Sequence, residues 1–427
     1  MFYKETNFQG TTLGRVPKDW QVDKLENLCE KIKAGGTPLT TNKGFWNGNI
    51  PFAKIEDMTI SGKYLLKTFN HVSRDGLDNS SSWMVPEKSL LLAMYGSFGE
   101  IAINKIPVAT NQAIIGVIPR QRDDVEFLYY WYLFFKPEWR RYVKPTTQAN
   151  LTAEIVRGSF VPMPYQPERK AIVEVLSCVD LAIQKTDEVV AKTERLKKGL
   201  MQKLLTEGIG HKEYKDTEIG KIPKEWNVVG LGSLVRVQGG FAFKSQDYVK
   251  DGVPLVRIAN VSFGHIEFAD LAKLPHDYLK QYSEFALEEN DIVIVLTRPI
   301  TEGGMKAGMI ERIHTPALLN QRVGRFRIRD NSQTSPDFLF QAIFSDDFIR
   351  QVQRGLATMN QPNISTKEME RFTIALPPFE EQTRIAETLS TADGKLGIER
   401  REKAKLERIK QGLMDLLLSG KIRVKVD

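Results

Sequence analysis

The sequence predicts an α+β chain of two similar mixed α/β domains in tandem repeat, joined and spaced by two long antiparallel coiled-coil-like helices with pseudo-two-fold symmetry. Three observations predict it. The chain is written twice: Gly199-Leu200-Met201-Gln202-Lys203-Leu204-Leu205 returns as Gly412-Leu413-Met414-Asp415-Leu416-Leu417-Leu418, an offset of 213. The same offset aligns Gln148-Ala149-Asn150-Leu151-Thr152 with Gln361-Pro362-Asn363-Ile364-Ser365, and Pro164 with Pro377. Thr11 to Trp20 returns as Thr217 to Trp226 at an offset of 206, so the second copy is about seven residues longer inside. A unit of some 210 residues is too long for a solenoid repeat and is a duplicated domain. Each copy also closes on one long amphipathic stretch, and short apolar runs bounded by turn residues precede it.

The elements follow in order. In the first body, residues 1–165, strands are predicted at Ile50–Lys54 after Gly48-Asn49, Leu90–Met94 before Gly96, and Ile114–Ile118 before Pro119. Phe127–Phe135 is dense and aromatic, and predicts a buried helix ahead of Pro137. A helical spacer, residues 166–210, carries Ile172, Leu176, Val179, Ile183, Val190, Leu196, Leu200 and Leu204 on one stripe, with Thr186 and Thr193 in its gaps. Its helix runs from about Glu168 to Thr206, roughly 57 Å at about 1.5 Å per residue. Pro164 and Pro167 set its entry, and Gly208 and Gly210 its stop.

The second body, residues 211–378, answers piece by piece: Val253–Ile258 matches Ile50–Ile55, Asp291–Leu296 matches Ser89–Met94, and Asn320-Gln321 matches Asn111-Gln112. A second helical spacer, residues 379–427, has a helix from about Glu381 to Ser419. Its stripe is Ile385, Leu389, Ala392, Leu396, Leu406, Ile409, Leu413 and Leu417, interrupted by Glu399 and Lys403. A helix this long with one apolar stripe needs a partner along its length. The other copy is the obvious one, and a two-fold relation makes the pair antiparallel; the alternative, each helix packed on its own domain, asks a body of about 160 residues to cover about 57 Å of helix.

Composition narrows the function only partly. The net charge is +7, but residues 1–160 carry +4 and residues 216–378 carry −1. That balance permits nucleic-acid binding through local patches without demanding it. Cys29 and Cys178 lie far apart and form no metal-ligand spacing, which points to a reduced setting. No apolar run approaches a membrane span and the N-terminus has no signal-peptide layout, so the expectation is a soluble, cytoplasmic protein without membrane contact.

Catalytic motifs are missing. Leu376-Pro377-Pro378-Phe379 is similar to the tetrapeptide with which amino-methyltransferases hold their target amine, but that motif opens on Asp or Asn, and Leu376 has no oxygen to accept from the amine. Tyr95-Gly96-Ser97-Phe98-Gly99 is no cofactor loop, since no GxGxxG opens a helix there. There is no P-loop, no metal-nuclease core after Pro336-Asp337, and the five histidines (71, 211, 265, 276, 314) are scattered. No metal site and no catalytic residue is expected. Trp139-Arg140-Arg141-Tyr142-Val143-Lys144 suits either phosphate contact or a core edge with a solvated cationic face. Arg325, Arg327 and Arg329 alternate along a strand, as a DNA-facing strip or as an exposed face balanced by nearby acids. The loops after the matched strands, at 95–99 and 297–303, differ in side chains on a shared frame, as two readers of different sequences would, or are simply structural turns.

The whole chain resembles the DNA-specificity subunit of type I restriction–modification systems. The likeness is carried by Gly14-Arg15-Val16-Pro17-Lys18-Asp19-Trp20 and its repeat at Gly220–Trp226, by Leu376-Pro377-Pro378-Phe379-Glu380-Glu381-Gln382, and by Lys198-Gly199-Leu200-Met201 and Gln411-Gly412-Leu413-Met414. The first copy departs at Met163-Pro164-Tyr165-Gln166-Pro167-Glu168-Arg169, where helix entry is kept and an individual contact is in doubt. The resemblance implies two target-recognition domains reading the halves of a bipartite asymmetric sequence in double-stranded DNA. It implies two modification (methyltransferase) subunits carrying S-adenosylmethionine, and restriction/translocase subunits using ATP and magnesium, with no cofactor on this chain. Candidate base-reading residues are Lys43, Lys54, Tyr95, Ser97 and Arg140 in the first body, and Lys244, Arg257, Arg298 and Thr301 in the second. A duplicated coiled-coil scaffold without DNA contact, and a self-contained DNA methyltransferase, stand as the competing readings.

Overall fold

The computed structural model describes residues 2–95, 99–141, 151–268, 271–357 and 363–426, with backbone alone at 140 and 141. It divides into two compact units, Met1–Asp187 with Glu402–Asp427, and Glu188–Arg401. Each long helix therefore contributes one part to each unit.

The two larger sheets of the first unit are built from β1 (Cys29–Ala34), β2 (Trp46–Ala53), β3 (Tyr64–Leu65), β4 (Asn70–Val72), β5 (Met84–Val85), β6 (Ser89–Ala93), β7 (Ile101–Asn104), β8 (Val108–Thr110) and β9 (Ile114–Pro119). One sheet runs β1-β9-β6-β7-β3 and the other β4-β2-β8-β5. Leu90, Leu92, Ile115 and Val117 face the aromatic helix α1 (Val125–Phe135), while Leu91, Ala93 and Ile114 face a second core with Ala53, Val85 and Val108. Burial on both faces is why β6 and β9 read as unbroken apolar runs. The predicted strand Ile50–Lys54 stops at Ala53, because the Lys54 N–H turns to Asp57 Oδ2 at 2.8 Å and opens the helix Ile55–Ser61. Helix α2 (Gln166–Thr206) starts two residues earlier than the periodicity suggests. Pro167 sits in its first turn, where a missing N–H costs nothing.

The second unit repeats this plan with β10 (Val235–Gly239), β11 (Val253–Val256), β12 (Ala272–Leu274), β13 (Ala286–Leu287), β14 (Ile292–Val295), β15 (Ala307–Met309), β16 (Ala317–Leu319) and β17 (Val323–Ile328). Its sheets run β10-β17-β14-β15 and β12-β11-β16-β13, strand for strand the order of the first unit apart from β3. Ile292, Ile294 and Phe326 pack with helix α3 (Pro336–Ala342), and Val293, Val295 and Val323 with Val256 and Leu319. Helix α4 (Phe379–Leu418) closes the copy.

Within each unit the two long helices pair antiparallel. In the first, Asp180 meets Lys410 at 2.6 Å and Asp187 meets Lys403 at 2.6 Å. In the second, Lys197 meets Asp393 at 2.5 Å and Glu194 meets Arg400 at 2.7 Å. The repeat offset carries Asp180 to Asp393 and Lys197 to Lys410, so one ion pair is encoded twice with its partners exchanged. This corrects the predicted stripe at two places. Leu196 is 59% and Ile409 43% exposed, because Lys197 and Lys410, one residue on, turn toward the facing helix and its aspartate.

A carboxylate clasp locks each helix start. In the first unit the buried Glu168 accepts from the Trp20 indole at 3.2 Å and from Arg423 at 2.5 and 2.7 Å. Arg423 also reaches Asp19 at 2.8 and 2.9 Å and Glu5 at 2.6 Å, on a strand Ile422–Val424 that pairs with Phe2–Lys4. In the second, Glu381 accepts from the Trp226 indole at 2.9 Å and the Ile209 N–H at 2.8 Å, and lies 2.9 Å from His211 Nε2. The departing segment of the first copy thus keeps its glutamate contact. At the next position Gln382 bonds the Pro377 carbonyl and the Ser335 N–H, whereas Arg169 bonds the Pro164 carbonyl and Asp124.

Glu168→Ala leaves a buried guanidinium short of its main partner, so unfolding in urea is expected to show a loss of about 3–5 kcal/mol. The Arg423 hydrogen bonds also hold the Asp19 carboxyl below its ordinary value. Stability from that contact is present above the ordinary value and is lost as pH falls through the lowered one, which melts between pH 5 and 2 would show.

Candidate nucleic-acid interface

In the first unit the register brings three loops to one end of the sheets. Ala53 on β2 pairs in parallel with Thr110 on β8, so Lys54 stands next to Asn111. The Met94 N–H donates to the Ala113 carbonyl at 2.8 Å, which sets Tyr95 beside the same turn. The Gly36 N–H donates to the Thr110 carbonyl at 2.9 Å, and the Thr37 hydroxyl to Gln112 Oε1 at 2.5 Å. Lys54 is half-buried, with its Nζ 3.4 Å from Asn70 Oδ1. Lys54 and Tyr95 therefore meet at one cluster. Lys43 does not join it by register: it lies exposed at the opposite end of β2, in the turn Lys43–Phe45. Ser97, with Gly96 and Phe98, lies outside the described residues, as do the Arg140 side chain, Tyr142-Val143-Lys144, Gln148-Ala149-Asn150 and Gln361-Pro362.

The second unit repeats the frame with other side chains. Val256 pairs in parallel with Leu319, which puts Arg257 next to Asn320. Its Nε lies 3.4 Å from Asn260 Oδ1, and its guanidinium 5.9 Å from the Tyr248 ring centre. The Leu296 N–H donates to the Arg322 carbonyl at 2.8 Å, so Thr297 and Arg298 border this turn, and Thr301 follows on the hairpin strand Ile300–Thr301. Phe241 bridges to Asn320, and the exposed Lys244 stands three residues beyond it. Arg298 (φ 52°) and Arg322 (φ 68°) are both exposed and both left-handed. Such backbone costs a non-glycine residue of order 1–3 kcal/mol and concentrates at ligand-binding sites.

The structure adds Thr37, Gln112, Gln321 and Arg322 to these clusters. The matched Asn-Gln dipeptide was a visible signal for two of them. Thr37 and Arg322 had none, because both enter through backbone geometry. The same hydrogen bond anchors each cluster from behind: Leu151 N–H to Met94 O at 3.1 Å, and Ile364 N–H to Leu296 O at 2.8 Å.

Two polar features leave the interface. Arg325 is fully buried, bonded to Asp291 at 2.9 Å, to Gln238, and to the carbonyls of Ala286 and Glu284. Arg327 bonds Gln238 at 2.9 Å and Arg329 the Gly232 carbonyl at 2.9 Å. The row is thus not one continuous face: Arg325 is withdrawn into the core, Arg327 is half-buried and Arg329 exposed, and all three tie β17 and its end to neighbouring backbone or side chains. Trp139 is core, stacked on Tyr132 with ring centres 5.6 Å apart.

Two such clusters thus stand on one duplicated frame. The family model described as the type I restriction modification DNA specificity domain matches residues 17–192 and again 223–408. The chain is 34% identical over 428 residues to the type I restriction enzyme MjaVIII specificity subunit of Methanocaldococcus jannaschii, covering 99% of this chain and 98% of that one. The EcoAI specificity subunit of Escherichia coli is 36% identical over 165 residues, 39% of this chain and 28% of that one. In fold, the type I restriction–modification S subunit from M. genitalium superposes with a TM-score of 0.58 at 14% identity, over 96% of this chain and 97% of that one. The chain belongs to the family of type I restriction–modification specificity subunits. It is the non-catalytic, DNA target-recognising member of such a system.

Close packing behind the cluster gives a direct check. A Cβ on Gly35 would stand 2.1 Å from the Thr110 carbonyl oxygen, and one on Gly240 2.2 Å from that of Asn320. Gly35→Ala and Gly240→Ala should each destabilise by about 1–3 kcal/mol. Gly199→Ala, in a helix with open space around it, should stabilise by up to about 1 kcal/mol. Urea denaturation of the three variants tests the contrast.

Proposed function

We propose that this chain reads a bipartite, asymmetric sequence in double-stranded DNA. Residues 1–165 and 211–378 act as the two target-recognition domains, and residues 166–210 and 379–427 as the helical spacers that also dock two modification subunits and, through them, restriction subunits. The observation that carries the reading is the doubled loop cluster. Backbone frame and anchoring bonds are the same in both units, while the side chains at the tips differ: Lys54 against Arg257, Tyr95 against Thr297. A scaffold that never touched DNA would have no use for rigid frames with divergent tips.

The chemistry of the tips fits groove reading. Arginine and lysine donate to guanine, and Thr, Asn and Gln pair with other base edges, each good contact discriminating by about 1–3 kcal/mol. Lys54, Tyr95, Arg257, Arg298 and Thr301 are the leading readers, with Lys43 and Lys244 at the margins. No helix among the described residues is long and apolar enough to cross a membrane, which suits work on DNA in the cytoplasm. Methyl transfer from S-adenosylmethionine, and ATP- and magnesium-dependent restriction, belong on this reading to the partner subunits.

Specificity is then modular by half. Exchanging residues 1–160 for the matching body of a related specificity subunit should change one half of the recognised sequence and leave the other intact, read by methylome sequencing of cells that also express the modification subunit. Arg298→Ala should relax discrimination in one half-site only, by about 1–3 kcal/mol if it touches a base edge. A contact to phosphate alone would instead lower affinity for all sequences alike. A swap that altered both halves together would end the reading.

A further inference from the structure

The two loop clusters differ at every tip but one. Asn111-Gln112 in the first unit and Asn320-Gln321 in the second occupy the same turn, closed by the Ile114 N–H on the Asn111 carbonyl and the Val323 N–H on the Asn320 carbonyl, each at 3.2 Å. Both turns follow the parallel strand pair and are held by the strand that leads to Tyr95 or Thr297. Both glutamines are exposed. Residues that differ between the copies can serve different bases, but a residue that is identical at the same place in two unlike readers serves something the two half-sites share. Every half-site shares the phosphate backbone, and half to two-thirds of protein–DNA hydrogen bonds go to phosphate and sugar, where they fix register without reading sequence.

The geometry of Gln112 points the same way. A glutamine that reads adenine must accept from the N6 amino group through its carbonyl oxygen while donating to N7. The Thr37 hydroxyl donates to Gln112 Oε1 at 2.5 Å, which takes one of that oxygen's two lone pairs and leaves the amide NH₂ as a pair of donors. Phosphate oxygens only accept, so a donor pair suits them.

We propose that Gln112 and Gln321 are equivalent phosphate-positioning residues, each donating from its amide to the DNA backbone at the same point of its half-site and so setting the register in which the divergent tips meet the bases. This rests on the reading of the chain as a two-domain DNA reader, and the test separates the two. The recognised sequence is first read from the methylome, and the purified full chain is titrated by fluorescence anisotropy with that duplex and with a scrambled one, at several salt concentrations. A wild-type chain that bound both duplexes alike would overturn the two-domain reading, and this proposal with it.

Given a wild-type preference, Gln112→Ala and Gln321→Ala should each weaken binding to both duplexes by the same factor, about tenfold for a hydrogen bond to a charged acceptor. Base preference at every position should be unchanged. The slope of log affinity against log salt should also be unchanged, since a neutral amide releases no counterion. Gln112→Glu should weaken binding further, because its carboxylate repels phosphate. Circular dichroism and urea midpoints equal to wild type would show that the loss is not unfolding. Relaxed preference at one base pair would overturn the proposal in favour of base reading, and so would variants that bind as wild type or that lose affinity only through lost stability.

Discussion

A glutamate drawn largely out of solvent in the first turn of each long helix, fully buried at Glu168 and half-buried at Glu381, is the constraint on which the architecture depends. Glu168 and Glu381 stand one turn into α2 and α4, and each accepts from a tryptophan indole and from a segment that follows the end of the other helix. The glutamate has to be desolvated to sit there, and desolvation is repaid only if its partners arrive together. Helix entry, the Gly-x-x-Pro-x-x-Trp hairpin and the facing helix's exit are thereby committed to one another. The flanking glycines serve the same fit: a Cβ on Gly208 would stand 2.5 Å from Glu381 Oε1, and one on Gly420 2.3 Å from Pro17. With its start held in this way, each helix can present its stripe to the other in antiparallel register, where the twice-encoded aspartate–lysine pair takes over.

The clasp also divides the labour. Much of what is alike in the two copies serves the frame: indole, glutamate, the doubly apolar strands, and the carbonyl bonds that anchor the loop clusters. What differs is carried on the loops that this frame holds still. Lys54 and Arg257 cap the same strand, and Tyr95 and Thr297 border the same turn. A frame that does not change when its tips change is what allows specificity to diverge within one chain at little cost in stability.

Much of this was legible in the sequence, for physical reasons that particular residues show. The repeat and both long helices could be read because a stripe of period 3.6 and a 213-residue offset are local or self-evident signals. The strands at Ser89–Ala93 and Ile114–Pro119 could be read because burial on both faces removes the polar alternation. Leu196 and Ile409 were misplaced because the stripe drifts by one residue where Lys197 and Lys410 turn inward to a partner that only tertiary structure supplies. Arg325 was misjudged for the same reason: alternation shows that three guanidinium groups share a face, but not that Asp291 and two carbonyls wait opposite. Of the candidate readers, Lys54 came together with Tyr95 in the first unit, and Arg257 with Arg298 in the second, because they follow the ends of matched strands, whereas Lys43 precedes one.

On the proposed reading, the clasped helix pair acts as a stiff spacer for two independent readers. Matched insertions of seven helical residues after Thr193 in α2 and after Gly397 in the facing stretch of α4 lengthen the pair by two turns, about 10 Å at roughly 1.5 Å per residue. Methylome sequencing of cells expressing this variant with its modification subunit should show the same two half-sequences, with the gap between them longer by about three base pairs, at about 3.4 Å each. Altered half-sequences with an unchanged gap would contradict the account.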